Sequence, residues 1–137
     1  MNIFELMRKN GMGEYGGVSR QEIDVYQREL YKEGVANIPL DYARFLMEIN
    51  GVQTDMVALF GLKRQGSFVR DIMEENSIAG SKSKNDLFLG DNFKEYLVYE
   101  WNKKSYTVIN KTDATDKKYF AFLEEALFYF LQEYFTA

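Results

Sequence analysis

The chain has 137 residues, of which 46% are hydrophobic and 16% aromatic, and its 17 basic and 21 acidic side chains give a net charge of −4. A chain of this length buries roughly two thirds of its unfolded surface, so we expect a single domain, residues 1–137, with one core. The acidic balance is the reverse of the basic surface that binds phosphate backbones, and we expect no nucleic-acid partner.

The chain contains neither cysteine nor histidine. Those residues supply most nucleophiles, neutral-pH bases and ligands of tight transition-metal sites. Ser–His–Asp and Cys–His arrangements are therefore excluded, and the acidic residues do not have EF-hand spacing. We expect a protein that is not an enzyme, with no catalytic residue, no metal site and no cofactor.

The first ten residues bear on cellular location. Glu5, Arg8 and Lys9 interrupt any apolar run, so the segment fits neither a signal peptide nor a membrane span of ~20 apolar residues. We expect a cytoplasmic protein with no membrane partner.

The first third of the chain predicts two helices. The first is short and amphipathic, ends at the glycines of positions 11–17, and has four apolar residues: Ile3, Phe4, Leu6 and Met7. The second covers about 19–33, where Ser19 and Glu22 have capping-box spacing and Val18 can pack on Ile23. Gly34 then ends it.

Residues 38–51, IPLDYARFLMEING, predict a third helix with a sharp beginning and end. Pro39 fits the first turn, where its missing N–H has no helical partner in any case. Asn50 and Gly51 provide the stop. One face, spaced i, i+3, i+4 and i+7, is predicted to be buried: Tyr42, Phe45, Leu46 and Ile49.

The rest of the chain predicts strands and a closing helix. MVALFG (56–61), LFLG (87–90), EYLVYEW (95–101) and SYTVIN (105–110) are β-rich, and residues 102–104 join the last two as a hairpin. Residues 61–86 predict a long loop with a weakly helical patch near 70–76. A polar segment, 111–118, precedes a helix over 119–135. The order indicates an α+β fold, with N-terminal helices and a C-terminal helix packed on a mainly antiparallel sheet.

Two patterns could carry chemistry. GMGEYG at 11–16 satisfies the G-x-G-x-x-G dinucleotide pattern, and the segment from Gly11 to Gly17 could form a small-ligand or nucleotide site, but the strand that should precede it is replaced by a helix. Ser81 and Lys84 form S-x-x-K, as in penicillin-recognising hydrolases, without the companion motifs. We interpret the first as an inter-helix connection and the second as a solvated loop.

Three further patterns have structural explanations. Adjacent acids, as in Glu74–Glu75 and Glu124–Glu125, point about 100° apart on a helix and suit solvated faces better than paired catalysis. The sequon at 110–112 is disregarded for a cytoplasmic chain. Aromatic residues along the strands could stack bases, but packing within the sheet is the preferred interpretation: Tyr96, Tyr99, Trp101 and Tyr106.

The order of these segments resembles the SUKH superfamily, the bacterial relatives of the yeast Smi/Knr regulators of cell-wall glucan synthesis. The resemblance spans roughly residues 18–135: a capped helix SRQEIDVYQREL, then IPLDYARFLMEING, similar to the family's L-P-x-x-Y-x-x-F-L…N-G, then FLG before a hairpin, then a Phe-rich closing helix. The chain departs from the family pattern at three positions, Gln27, Ile38 and Ala121.

The resemblance implies a non-enzymatic α+β domain that binds another protein. Many bacterial members resemble immunity proteins that neutralise a cognate toxin, and the yeast relatives are regulatory. Surface acids would favour a basic toxin. The 61–86 segment and the exposed sheet aromatics are candidate contact regions, and no individual partner-binding residue is assigned.

Overall fold

The structure, a computed structural model, describes residues 2–78 and 85–135. A short 3₁₀ turn, Gln132–Tyr134, follows the last helix. The elements, in chain order, are α1 (Ile3–Lys9), α2 (Arg20–Lys32), α3 (Leu40–Glu48), β1 (Val52–Gln53), β2 (Val57–Leu59), α4 (Ile72–Ile78), β3 (Asp86–Asn92), β4 (Glu95–Glu100), β5 (Ser105–Asn110), β6 (Lys117–Phe120) and α5 (Leu123–Leu131).

The strands form one antiparallel sheet in the order β1-β2-β3-β4-β5-β6. Each strand therefore pairs with its neighbour in the chain. The connections are short except between β2 and β3, where residues 60–85 include α4. The predicted hairpin is confirmed, with Glu95 opposite Asn110 and Glu100 opposite Ser105. The register between β3 and β4 shifts between Phe88 and Gly90, and β3 pairs with β2 only from Gly90 onward.

The first two helices follow their sequence signals. Ser19 caps α2, and both hydrogen bonds of the capping box with Glu22 form at 3.1 Å. Between the helices, the Val18 amide donates to the carbonyl oxygen of Leu46 over 3.0 Å. The connection from α1 to α2 is thereby held against the end of α3.

Helix α3 buries the predicted face. Tyr42, Phe45 and Ile49 are each at most 1% exposed. Pro39 is the N-cap and lies just outside the helix, which corrects its expected place in the first turn. Gly51 has φ +82°, and a Cβ there would lie 2.6 Å from the Leu59 carbonyl oxygen, so this stop requires glycine.

The core lies between the sheet and the helices, with buried side chains from α1, α2, α3 and α5. The Tyr42 hydroxyl donates to the carbonyl oxygen of Phe60 over 2.5 Å, which ties α3 to the residue after β2. On α5, the ring of Phe130 occupies the space above Gly90 of β3, where a Cβ would be 3.1 Å from the ring. The two helices are therefore fixed over the same face of the sheet.

Part of the expected loop over 61–86 is a helix. Helix α4 occupies Ile72–Ile78 and lies along the part of β3 that β2 leaves unpaired. The Asn76 side chain supplies the missing pairing, accepting from the Phe88 amide over 2.7 Å and donating to the Phe88 carbonyl oxygen over 3.0 Å. The loop prediction is wrong for 72–78, where only a weakly helical patch was expected, because this helix is stabilised by contact with a strand edge rather than by a long apolar pattern. Residues 79–84 of the expected loop lie outside the described residues.

The segment before the closing helix also differs from expectation. Residues 117–120 form β6, and α5 begins at Leu123 rather than at 119. Phe120, expected on the helix, lies in β6 with its ring 5.4 Å from that of Tyr129 on α5. The expected α+β class is confirmed, with N-terminal helices and a C-terminal helix on an antiparallel sheet.

No helix in the described parts of the chain has the length and hydrophobicity needed to cross a lipid bilayer.

Candidate functional site

An open groove of about 620 Å³ lies between α1, α3 and α5, on the outer side of the helical layer. Its floor consists of side chains that also belong to the core: Ile3, Phe45, Leu123 and Leu127. Its walls are less buried, with Met47 44% exposed and Phe122 66% exposed. The groove thus presents apolar surface to solvent directly above the core.

An aromatic contact positions the α1 side of the groove. The rings of Phe4 and Phe45 stack with their centroids 5.9 Å apart and their planes at 15°. Phe45 is held in turn by Tyr42, whose ring centroid is 5.3 Å away. The buried face of α3 therefore supports the groove from below.

Charged side chains surround this apolar surface. Asp41 and Glu48 of α3 and Glu124 of α5 supply carboxylates, and Arg44 supplies one guanidinium. At the α1 side, Arg8 lies 3.5 Å from Glu48, and both side chains remain about half exposed. Three carboxylates against two guanidinium groups leave the rim with a net charge of −1.

Phe122 breaks two local rules at once. It is the N-cap of α5 and provides no side-chain hydrogen bond to the helix, at a position where Ser, Thr, Asp or Asn is strongly preferred. It is also one of the larger apolar side chains left mostly in water. Positions that contradict local preferences are expected at functional sites, and this one lines the groove.

The residues of the groove offer apolar contacts and charge pairs to a bound partner. Apolar side chains of a partner can displace water from Met47 and Phe122 while resting on the nearly buried floor, and the rim can pair with cations. A protein contact of this kind, with an apolar centre and a charged rim, is the common pattern of interfaces.

The glycine segment of the sequence packs against α3. A Cβ at Gly17 would lie 1.8 Å from the Met47 carbonyl oxygen, and Gly16 forms an antiparallel bridge with Ile49. Helix α1, not a strand, precedes the segment. The surroundings of Gly11–Gly17 are therefore those of a backbone packing site, without the parallel βαβ unit of a dinucleotide fold.

Within each pair of adjacent acids, the two carboxylates point to different surroundings. Glu74 lies 3.4 Å from Lys63, and Glu75 lies 2.5 Å from Arg70. Glu124 lines the groove while Glu125, one residue on, does not. Neither pair converges on one point.

A second charged cluster lies on the sheet face opposite α5. Arg70 bridges Glu75 and Asp91, with 3.0 Å to the latter, and Lys111 contacts the other oxygen of Asp91. Arg70 also lies over the ring of Phe60 at 4.9 Å. The two cations and two carboxylates of this cluster neutralise one another. We therefore assign the cluster to holding α4 and the sheet together.

The strand aromatics do not form a platform for stacking. Tyr99 and Tyr106 are buried, with ring centroids 4.7 Å apart, whereas Tyr96 lies on the opposite face and contacts Phe88. Trp101 donates its indole N–H to the Asn37 carbonyl oxygen over 2.9 Å. Packing is confirmed for this series, and because Tyr99 and Tyr106 are buried they are not among the exposed sheet aromatics expected as a contact region.

Two motifs remain to be placed. Ser81 and Lys84 lie outside the described residues. Asn110 of the sequon accepts hydrogen bonds from the amides of Thr112 and Asp113, so it forms the turn after β5.

In the 61–86 contact region, Leu62 and Val69 are buried and Phe68 is 83% exposed.

Three tyrosine hydroxyls with raised pKa values lie within the core or pack against it. Burial raises the pKa of Tyr42 and of Tyr106, and burial followed by the hydrogen bond to Asp71 raises that of Tyr26. Each hydroxyl stays protonated at physiological pH. Those of Tyr26 and Tyr42 form hydrogen bonds, whereas the buried Tyr106 hydroxyl has no hydrogen-bond partner within the described residues.

Within residues 2–78 and 85–135, no cluster of three or more candidate ligand side chains could hold a metal ion.

Sequence reasoning missed the groove because its walls come from three distant segments. Two signals could have indicated it: Met47 is an apolar residue outside the buried face of α3, and Phe122 occupies the start of α5 in place of a capping residue. No family model and no curated protein was found that matches this chain.

Proposed function

We propose that the chain is a non-enzymatic, intracellular protein-binding module of the immunity type, which neutralises a cognate toxin by occupying part of its surface. A regulatory role of the Smi/Knr kind uses the same property, the binding of another protein. The observation that carries the proposal is the groove between α1, α3 and α5, with its apolar floor and charged rim.

Exposed apolar residues support the proposal when they cluster. Isolated apolar side chains on a surface need no explanation, whereas a patch rimmed by charge marks an interaction surface. Phe122 and Met47 are exposed apolar residues of this clustered kind. Together with Phe4 they line one groove that is open to a partner.

The sequence pattern supports the type of partner. The ordered segments that resemble the SUKH superfamily run from the capped helix through α3 to the closing helix, and that resemblance implies protein binding. The net charge of −4 favours capture of a basic protein, although at 137 residues the field is modest.

The experiment uses the full chain as bait in lysate of its own cells, with a Phe122→Ser bait beside it. Phe93→Ala, which removes a 75%-exposed ring on another surface, is the matched control. The retained protein is then produced alone, tested for toxicity, and co-expressed with each variant. Restored growth with the wild type and with Phe93→Ala, but reduced protection by Phe122→Ser, supports the proposal. Cells that lack this protein and grow unharmed beside toxin-producing siblings would contradict the immunity role.

A further inference from the structure

We propose that the occupant of the groove is an amphipathic helix of the partner, with apolar residues against the floor and lysine or arginine against the carboxylate rim. The inference rests on the proposed function and specifies the chemistry of its binding site.

The walls of the groove favour a helix over an extended segment. They are themselves helices, α1, α3 and α5, whose backbone groups are hydrogen-bonded internally except at the ends. An extended peptide in this apolar groove would leave its own N–H and C=O groups without partners, which is costly. A helix satisfies its own backbone, as in other helix-in-groove complexes.

The alternative route, addition of a strand to the sheet, is disfavoured at β6. That edge strand carries the exposed side chains of Lys117 and Lys118. Lysines on an edge strand are a common device against edge-to-edge pairing.

The rim specifies charge and spacing. Asp41 and Glu48 are seven residues apart on α3, hence about 10 Å along its axis and on nearly the same side. A partner helix lying along α3 can therefore place cations two turns apart, at i and i+7, where the cation at Glu48 competes with its exposed contact to Arg8. Arg44 lies between the two acids and repels a cation at the intermediate turn, so an acidic or uncharged residue is expected there.

The opposite wall adds a third carboxylate through Glu124. A cation on the other flank of the partner helix would meet it, so that the apolar stripe is bordered by positive charge on both sides. These contacts are partly exposed, and we expect the affinity to fall as salt is added.

Glu124 and Glu125 provide a matched pair for the test. Both are acidic residues in the first turn of α5, so replacing either by lysine changes the charge and the helix-dipole interaction by the same amount. Glu124 alone of the two lines the groove.

The probe is a displayed library of helical peptides, about five turns long, with randomised outward positions. It is selected on the immobilised wild-type chain and counter-selected on Phe122→Ser. We expect enriched peptides with apolar residues at i, i+3 or i+4, and i+7, bordered by lysine or arginine. Their affinity should fall about tenfold in Glu124→Lys and remain within about twofold in Glu125→Lys. Circular dichroism and thermal melting check that both variants fold.

Three results would overturn the inference: enrichment of acidic or proline-rich peptides, equal effects of the two lysine variants, or no peptide that discriminates wild type from Phe122→Ser. If the natural partner nevertheless loses affinity for Phe122→Ser, the groove still binds protein and only its helix-and-cation specificity is wrong. If Phe122→Ser leaves the natural partner bound, the groove itself is not the interface and the proposed use of it fails.

Discussion

The hydroxyl of Tyr26 on α2 donates to Asp71 Oδ1 over 2.7 Å and accepts from the Met73 amide over 2.9 Å. Asp71 also accepts from the amides of Lys63 and Glu74 over 3.1 and 3.2 Å. One tyrosine and one carboxylate thereby join α2, the residues after β2 and the first turn of α4.

Removing that hydroxyl should destabilise the protein. Tyr26→Phe leaves the Asp71 carboxylate and the Met73 amide each short of one partner, and we expect a cost of about 1–3 kcal/mol in the free energy of unfolding. Urea denaturation measures it. Tyr31→Phe, on the same helix but 80% exposed, should leave stability unchanged. Equal values for the two variants would mean that Tyr26 does not join the elements.

Phe45→Ala tests whether the proline-led helix is architectural. Phe45 is 1% exposed and packs between Phe4 and Tyr42, so its truncation should cost ~3–5 kcal/mol. Chemical denaturation gives the value. A variant that keeps full stability but loses partner binding would show that this face is a binding surface rather than core.

Gly17→Ala and Gly16→Ala separate packing from ligand binding in the glycine segment. An added methyl at Gly17 collides with the Met47 carbonyl, whereas at Gly16 it meets nothing within 4 Å. We expect Gly17→Ala to cost about 3 kcal/mol, at the upper end for overpacking, and Gly16→Ala to cost far less. Calorimetric titration of the wild type with NAD and ATP should give no heat of binding at millimolar ligand. Saturable binding that Gly16→Ala abolishes would favour a nucleotide site instead.

Glu22→Gln should change how stability depends on pH. The hydrogen bond from Arg64 is the main cause that lowers the pKa of Glu22 below its ordinary value of 4.5. The unfolded chain then binds this proton more readily than the native protein, so the stabilisation is complete above 4.5 and is lost as the pH falls through the lower native value. Glutamine retains the capping box, which isolates the charge.

The unfolding free energy of Glu22→Gln should therefore lie below that of wild type near neutral pH and converge with it in acid. Arg64→Gln should produce the same convergence, because it removes the same hydrogen bond. A constant difference across the acid range would show that the Arg64 contact does not affect this carboxyl group.

Phe122→Ser should stabilise the fold while impairing binding. Serine at the N-cap of α5 can accept from a backbone amide that Phe122 leaves unpaired, which is worth about 0.5–1 kcal/mol, and the largely exposed ring has few contacts to lose. Thermal melting measures the gain. Ala121→Ser, one residue outside the cap, is the control and should give none. A loss of stability in Phe122→Ser would show that the ring supports the fold.

Local patterns in the sequence predicted the elements that depend on neighbouring residues. The capping box of Ser19 and Glu22 specifies the start of α2, and the spacing of Tyr42, Phe45 and Ile49 specifies the buried face of α3. The hairpin of β4 and β5 follows in the same way, because two runs rich in apolar and aromatic residues are joined by a short polar turn. In each case the interacting residues are close in the chain.

Features formed by residues that are distant in the chain were decided only by the tertiary structure. Strand β6 has two lysines and is a strand because it pairs with β5, and α4 is placed by the contact of Asn76 with the edge of β3. The groove combines Phe4, Met47 and Phe122 from three separate helices or helix ends. Composition and periodicity determined that this chain has an α+β core. The surface that a partner could recognise is determined by which distant side chains that core brings together, since no local pattern encodes their proximity.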